Sequence, residues 1–253
     1  MNAPETSSAR TARPSLARVG AVQCVLFDFF GTLVGYNPSR KEQGYDRSHA
    51  VFRRLGGTLE YDPFLHVWDE LFCDFERRCD GDDREFSMWD VTTAFFAAAT
   101  TAGTVPPLDV DEFVAVYLDE WSTGVSDIDG LAVMLEDLGR TYRLAVVTNT
   151  HAPDLVPGHL RRMGLDGAFD AVITSVEVGR RKPHPAIYAA ALERLGVEPA
   201  GCVFVGDTLA PDYLGPRAAG MAARLIDPAG HHADAVPAAD RLMSVLDLAS
   251  TLP

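Results

Sequence analysis

The stretch CVFVGDTLAPDYLGPRAAGM, residues 202–221, decides the fold. Its first four residues are uninterrupted apolar side chains, the pattern of a strand buried on both faces. Gly206 and Asp207 stop that run, and Asp212 follows five residues later at the start of a predicted helix, 212–219, with Gly215, Gly220 and Met221 beyond. Two more runs of the same kind lie upstream, VQCVLFDFF at 22–30 and LAVVT at 144–148. Weaker ones, FDAVIT at 169–174 and ARLI at 223–226, complete the set. Helical patterns at 154–163, 185–195 and 212–219 have the length of crossover connections between the later runs. Strand and helix in alternation predict an α/β fold with a parallel, doubly wound sheet. Such sheets bind ligands beyond the carboxyl ends of their strands, where each of these apolar runs gives way to a polar residue.

Residues 37–130 read differently. They carry all three tryptophans and apolar side chains at helical spacing: Val51, Phe52 and Leu55; Phe64, Val67, Trp68, Leu71, Phe72 and Phe75; Val91, Phe95, Phe96 and Ala99; Phe113, Val116, Tyr117 and Trp121. These faces read as the core of a helical block inserted between the first and second strands. The acidic stretch 80–85 lacks the spacing of a calcium loop and is expected as a solvated loop. The expected division is a mobile tail over 1–20, an α/β core over 21–36 and 131–253, and the helical block over 37–130.

The chain has 253 residues and a formal net charge of −14. That charge disfavours nucleic-acid backbones and anionic membranes as partners, and no apolar run has the length of a membrane helix. A small anionic substrate is compatible with it, because a local site can oppose the global field. Cys24 and Cys202 sit within apolar runs, and Cys73 and Cys79 show no metal-site spacing. Thiols so placed point to a reducing, cytoplasmic compartment. Oligomeric state leaves no mark in the sequence.

Chemistry-bearing residues gather at the strand ends: Asp28 after the first run, Thr148 and Asn149 at the second, Asp207 and Asp212 after the third, and Lys182 in GRRKPHP. Carboxylates gathered at one sheet edge repel one another unless a cation sits among them. Two Asp oxygens, a backbone carbonyl and waters suit Mg²⁺. A neighbouring carboxylate can then attack phosphorus as a nucleophile. A Thr hydroxyl and a Lys ammonium would bind the phosphoryl oxygens.

DFFGTL (28–33 within FDFFGTL), VVTN, GRRKPHPAIY and VGDTLAPDYLGPRAAGM together resemble, in order and context, the four motifs of the haloacid dehalogenase-like hydrolase superfamily. The resemblance spans roughly residues 20–228. It implies a Rossmann-like core, a helical cap and Mg²⁺-dependent phosphoryl transfer through an aspartyl intermediate. By the same resemblance Asp28 is the nucleophile and a metal ligand, with the Phe30 carbonyl and Asp207 as further ligands. Asp212 would hold a metal-bound water or orient Lys182. Thr148 and Lys182 would bind the transferring group, supported by Asn149, and Arg40 would meet an anionic substrate near the lid entrance.

One position departs from the family pattern. The superfamily's phosphatases carry an acid two residues after the nucleophile, and here that residue is Phe30. A phenyl ring moves no proton, whereas general acid–base catalysis is worth about 10²–10⁴-fold. Three readings follow: a phosphohydrolase with another acid (His151, His184 or Tyr36) or with a leaving group that needs none; a metal-free 2-haloacid dehalogenase, which Asp207 disfavours by repelling an anionic substrate; and a binding or regulatory protein of low turnover. Phosphonoacetaldehyde hydrolases, which also lack that acid, use a cap lysine. Lys41, beside Arg40, is the one lysine outside the core motif and reads first as a solvated side chain.

Overall fold

The computed structural model describes residues 21–36, 44–100 and 107–252. The expected tail, Arg40 and Lys41 therefore lie outside the described residues. The chain opens with β1 (Cys24–Phe27) and β2 (Val34–Tyr36). Four helices follow: α1 (Asp46–Arg54), α2 (Tyr61–Cys79), α3 (Met88–Ala99) and α4 (Pro107–Trp121). Then come β3 (Val125–Asp127), α5 (Leu131–Gly139), β4 (Arg143–Thr148), α6 (Leu155–Arg162) and β5 (Ala171–Thr174). The last third holds α7 (Ser175–Val178), α8 (Pro185–Leu195), β6 (Cys202–Gly206), α9 (Gly215–Ala218), β7 (Ala222–Ile226) and β8 (Arg241–Leu242).

Six strands form one sheet in the order β5-β4-β1-β6-β7-β8, with every neighbouring pair parallel. This is the Rossmann-like α/β arrangement expected from the apolar runs. Alternation along the strands feeds two cores. Val25, Phe27, Val146 and Val205 pack on one face with Leu131 and Leu135 of α5 and Val156 and Leu160 of α6. Cys24, Leu26, Ala145, Val147 and Phe204 pack on the other with Ile187, Tyr188 and Ala191 of α8. Cys24 and Cys202 lie opposite one another on β1 and β6 and are buried, as core residues should be.

The helices between β2 and β3 have a core of their own, built on Phe52, Phe64, Trp68, Phe95, Phe113 and Tyr117. Ser87 and Asp90 start α3 with a reciprocal capping box. The chain leaves and re-enters the α/β core through a two-stranded antiparallel ribbon, in which Val34 faces Asp127 and Tyr36 faces Val125. The sequence reading missed this ribbon, since β3 has three residues and little apolar character. It also missed β8 and the C-terminal turns, whose Leu242, Val245 and Leu248 fill the main core. The helix expected at 212–219 is a wide π-helical turn, Leu209–Leu214, followed by the four residues of α9. The expected solvated loop at 80–85 is corrected at Glu85, whose side chain is fully buried against Arg181 and His151. No helix among the described residues is long and apolar enough to cross a membrane.

Candidate active site

Asp28 follows β1, Thr148 ends β4 and Asp207 follows β6, so the parallel register brings all three to one rim of the sheet. The Asp28 N–H donates to the Val205 carbonyl at 2.9 Å, extending the β1–β6 ladder to the residue itself. Carboxylate oxygens of Asp28, Asp207 and Asp212 lie within 4.8 Å of one another. Two glycines make this crowding possible. Gly31 has φ of +83°, and a Cβ there would overlap the Asp207 carboxylate. A Cβ on Gly206 would overlap Asp212.

Lys182 is buried among these acids. Its Nζ donates to Asp28 Oδ1 and to Asp212 Oδ1, each at 2.7 Å. The other Asp212 oxygen accepts the Thr208 N–H at 2.9 Å, which the wide turn makes reachable. Asn149 fixes the backbone on which Lys182 hangs: its Oδ1 accepts the Lys182 N–H at 2.7 Å and its Nδ2 donates to the Lys182 carbonyl at 3.0 Å. Asn149, expected among the substrate contacts, has its side chain engaged as a clamp on the Lys182 backbone.

Burial disfavours the Lys182 ammonium, but the charges of Asp212 and Asp28 outweigh it and hold the group protonated beyond its usual range. Burial pushes the Asp212 carboxyl upward, and burial followed by the Asp28 charge does the same to Asp207. With all three carboxyls ionised, one ammonium leaves an excess of two negative charges. A divalent cation fits that deficit and this set of hard oxygen donors. Asp28 and Asp207 could hold it directly, with the Phe30 carbonyl. Asp212, both of whose oxygens already accept hydrogen bonds, is suited to a water-mediated contact or to holding Lys182.

The acids and Lys182 line a cleft of about 260 Å³, together with Thr148, Asn149, Phe30 and Tyr36. A second cavity of about 290 Å³ shares Phe30, Tyr36 and Asn149 with it and runs beneath the helical insert. Its remaining wall is mostly apolar, with Phe72, Met88, Tyr117, Leu118, Trp121 and Leu155. Phe30 stands where the two spaces meet. Its ring packs against Phe29, Trp121, Tyr36 and His159, at centroid distances of 4.9, 5.1, 5.8 and 5.9 Å.

The three alternative proton donors fare differently. His184 caps α8, its Nδ1 accepting the Ala186 N–H. His151 lies flat on Phe86, with centroids 4.2 Å apart, and its two ring nitrogens face Glu85 and Glu76 at 3.1 and 3.4 Å. Tyr36 lines both spaces. The sequence reading did not find the ionic cluster around His151. Arg181 reaches Glu76 and Glu85, each at 2.5 Å, and Ser175 donates to Glu85 at 2.5 Å. Burial opposes the charge on Glu76, yet His151 and Arg181 hold its carboxyl down at about 2. Glu85 is lowered and His151 raised by the same contacts, again against burial. Arg181 is the neighbour of Lys182, so this cluster ties the insert to the loop that carries the buried ammonium.

A profile of the haloacid dehalogenase-like hydrolases matches residues 22–220. The chain is 28% identical over 223 residues to a ribulose-1,5-bisphosphate 5-phosphatase of Halopiger xanaduensis, a match covering 86% of this chain and 89% of that protein. It is 31% identical over 185 residues to an (S)-2-haloacid dehalogenase of Xanthobacter autotrophicus, covering 73% and 67% of the two chains. Its fold matches the crystal structure of a 2-haloacid dehalogenase from Pseudomonas syringae pv. Tomato DC3000 with a TM-score of 0.69 at 23% identity, over 91% of this chain and 97% of that one. The chain belongs to the haloacid dehalogenase-like hydrolase family and is a hydrolase.

Proposed function

We propose that this hydrolase is a Mg²⁺-dependent phosphohydrolase of a small phosphorylated metabolite, with the helices of residues 37–130 acting as a cap over the site. The observation that carries the reading is the meeting of three carboxylates with one buried ammonium at a sheet rim. Asp28, Asp207 and the Phe30 carbonyl would hold Mg²⁺, with Asp212 behind them. When bound, the ion supplies the positive charge that lets an anionic nucleophile approach a phosphate dianion.

The Asp28 carboxylate attacks phosphorus, forming an acyl phosphate, and the P–O bond to the leaving group breaks. Lys182 holds Asp28 in place and balances the charge of the phosphoryl oxygens, while the Thr148 hydroxyl donates to one of them. Water then attacks phosphorus and returns Asp28 as carboxylate. Asn149 keeps Lys182 at the correct height through its backbone. Four cysteines in the thiol form are in keeping with a cytoplasmic setting.

Phosphate release from a panel of small phosphate esters, with and without Mg²⁺, tests the proposal. Turnover should need the metal and should fall below detection in Asp28→Asn. Phe30, an aromatic where phosphatases of this family have an acid, favours a second reading, 2-haloacid hydrolysis. That reading predicts halide release that persists in EDTA. Asp207 argues against it, because an uncompensated carboxylate beside Asp28 repels a haloacid anion.

A further inference from the structure

The acid-bearing cleft and the cavity beneath the insert adjoin, with Phe30, Tyr36 and Asn149 in the walls of both. A phosphate held among Asp28, Thr148 and Lys182 would project its leaving group past Phe30 into the second cavity. Two features of that path constrain the leaving group. The first is chemical. Phe30 stands two residues after Asp28, has no proton to give, and has its ring packed against four aromatic neighbours. His151 has both nitrogens turned to carboxylates, and His184 is engaged at a helix start. Among the described residues, the only carboxyls lining the cleft are Asp28, Asp207 and Asp212. Of the three candidate donors only Tyr36 lines the cleft, so a leaving group that is stable as an anion departs here most readily.

The second feature is the lining. Phe30, Tyr36, Phe72, Tyr117 and Trp121 give the cavity aromatic walls, continued by Met88, Leu118 and Leu155. Among its wall residues, Glu76 and His151 are already paired with each other and with Arg181 or Glu85. A polyhydroxylated leaving group would lose its water here for few new partners. A dry cavity of about 150 Å³ takes up benzene, so one of about 290 Å³ has room for a substituted ring.

We infer that the substrate is an aryl monophosphate, whose aromatic ring enters the Phe30–Tyr36–Trp121 cavity and whose aryloxide leaves unprotonated. The inference rests on the phosphohydrolase reading and names the substrate class for it. Asp28 forms the new O–P bond as the P–O(aryl) bond breaks, and the electron pair stays on the aryloxide oxygen. Water then attacks phosphorus, the O–P bond to Asp28 breaks, and hydrogen phosphate and one proton pass to solvent, where the aryloxide can take that proton up.

The test measures kcat/KM with Mg²⁺ for a series of substituted phenyl phosphates of graded phenol acidity, beside methyl phosphate and a hexose phosphate. In the wild type, kcat/KM should fall by about 10²-fold or more from the most to the least acidic phenol, the scale of a missing proton transfer. Methyl and hexose phosphates should lie lower still, and Phe30→Asp should flatten the trend. A wild-type series independent of phenol acidity would overturn the inference. So would a flat series that steepens in Tyr36→Phe, since Tyr36 would then supply the proton, or a hexose phosphate preferred over every aryl ester. Calorimetric binding of benzylphosphonate and methylphosphonate separates this inference from the reading beneath it. Benzylphosphonate should bind at least about tenfold tighter, and that preference should vanish in Trp121→Ala. Equal binding of the two phosphonates overturns the aromatic assignment whatever the turnover. No phosphate release from any ester, with the benzyl preference intact, overturns the phosphohydrolase reading while supporting the assignment of the cavity to an aromatic anion.

Discussion

Lys182 is the residue on which the polar site balances. It lies buried between two aspartates, whose charges hold its ammonium protonated. Removing one member of such a cluster leaves a buried charge uncompensated, at a cost of about 3–5 kcal/mol. Lys182→Met should destabilise the protein on that scale in urea unfolding at neutral pH. Adding Asp212→Asn should recover part of the loss, because it removes one of the stranded carboxylates. Equal stability of the single and double variants would show that the two side chains do not couple. The candidates Asp28, Thr148, Lys182, Asp207 and Asp212 could be read from sequence because each closes or follows an apolar run or a glycine-rich turn. Their neighbours were less legible. Nothing local marks Asn149 as the clamp on a backbone 33 residues away, and Gly31 discloses its purpose only once Asp207 is seen against it.

Among the elements, the contact between the insert and the loop before α8 is the least visible in sequence. Glu85 stands within an acidic stretch that reads as solvated, and only tertiary packing places it beneath Arg181 and His151. The strands were easier to read, since a parallel sheet covered on both faces demands continuous apolar runs. The exceptions, β3 and β8, are too short to show a period. The ionic cluster predicts how stability responds to pH. His151 is raised above its ordinary 6.5 in the folded protein. Its charge therefore contributes in full below about pH 6.5 and is lost as pH rises through the raised folded value. Glu85 and Glu76 are lowered, so their contribution is present above about pH 4.5 and fades only as pH falls towards their folded values, about 2 for Glu76. The cluster's contribution to the unfolding free energy should hold between these limits and decline on the alkaline side, and His151→Gln should remove that part of the decline. An alkaline decline of the same size in His151→Gln would assign the effect to another group.

At the scale of the whole molecule, the chain is an α/β sheet with a helical insert carried on a two-stranded ribbon, each part with its own apolar core. The ribbon begins four residues after Phe30, so the insert's connection and the aromatic wall of the site are built from one short segment. The insert's aromatic stripes are legible as core, and two of their partly buried members, Phe72 and Trp121, also line the cavity beside Phe30. A face that packs and a face that binds carry the same periodicity, so sequence alone could not divide them. The central claim is that Asp28 attacks phosphorus and that water then attacks the same phosphorus. A single turnover in ¹⁸O-labelled water, followed by mass spectrometry of the phosphate and of the peptide carrying Asp28, tests it most directly. The account predicts label in the phosphate and none in Asp28; label in the Asp28 carboxylate, as a carbon-bound ester intermediate would give, would contradict it.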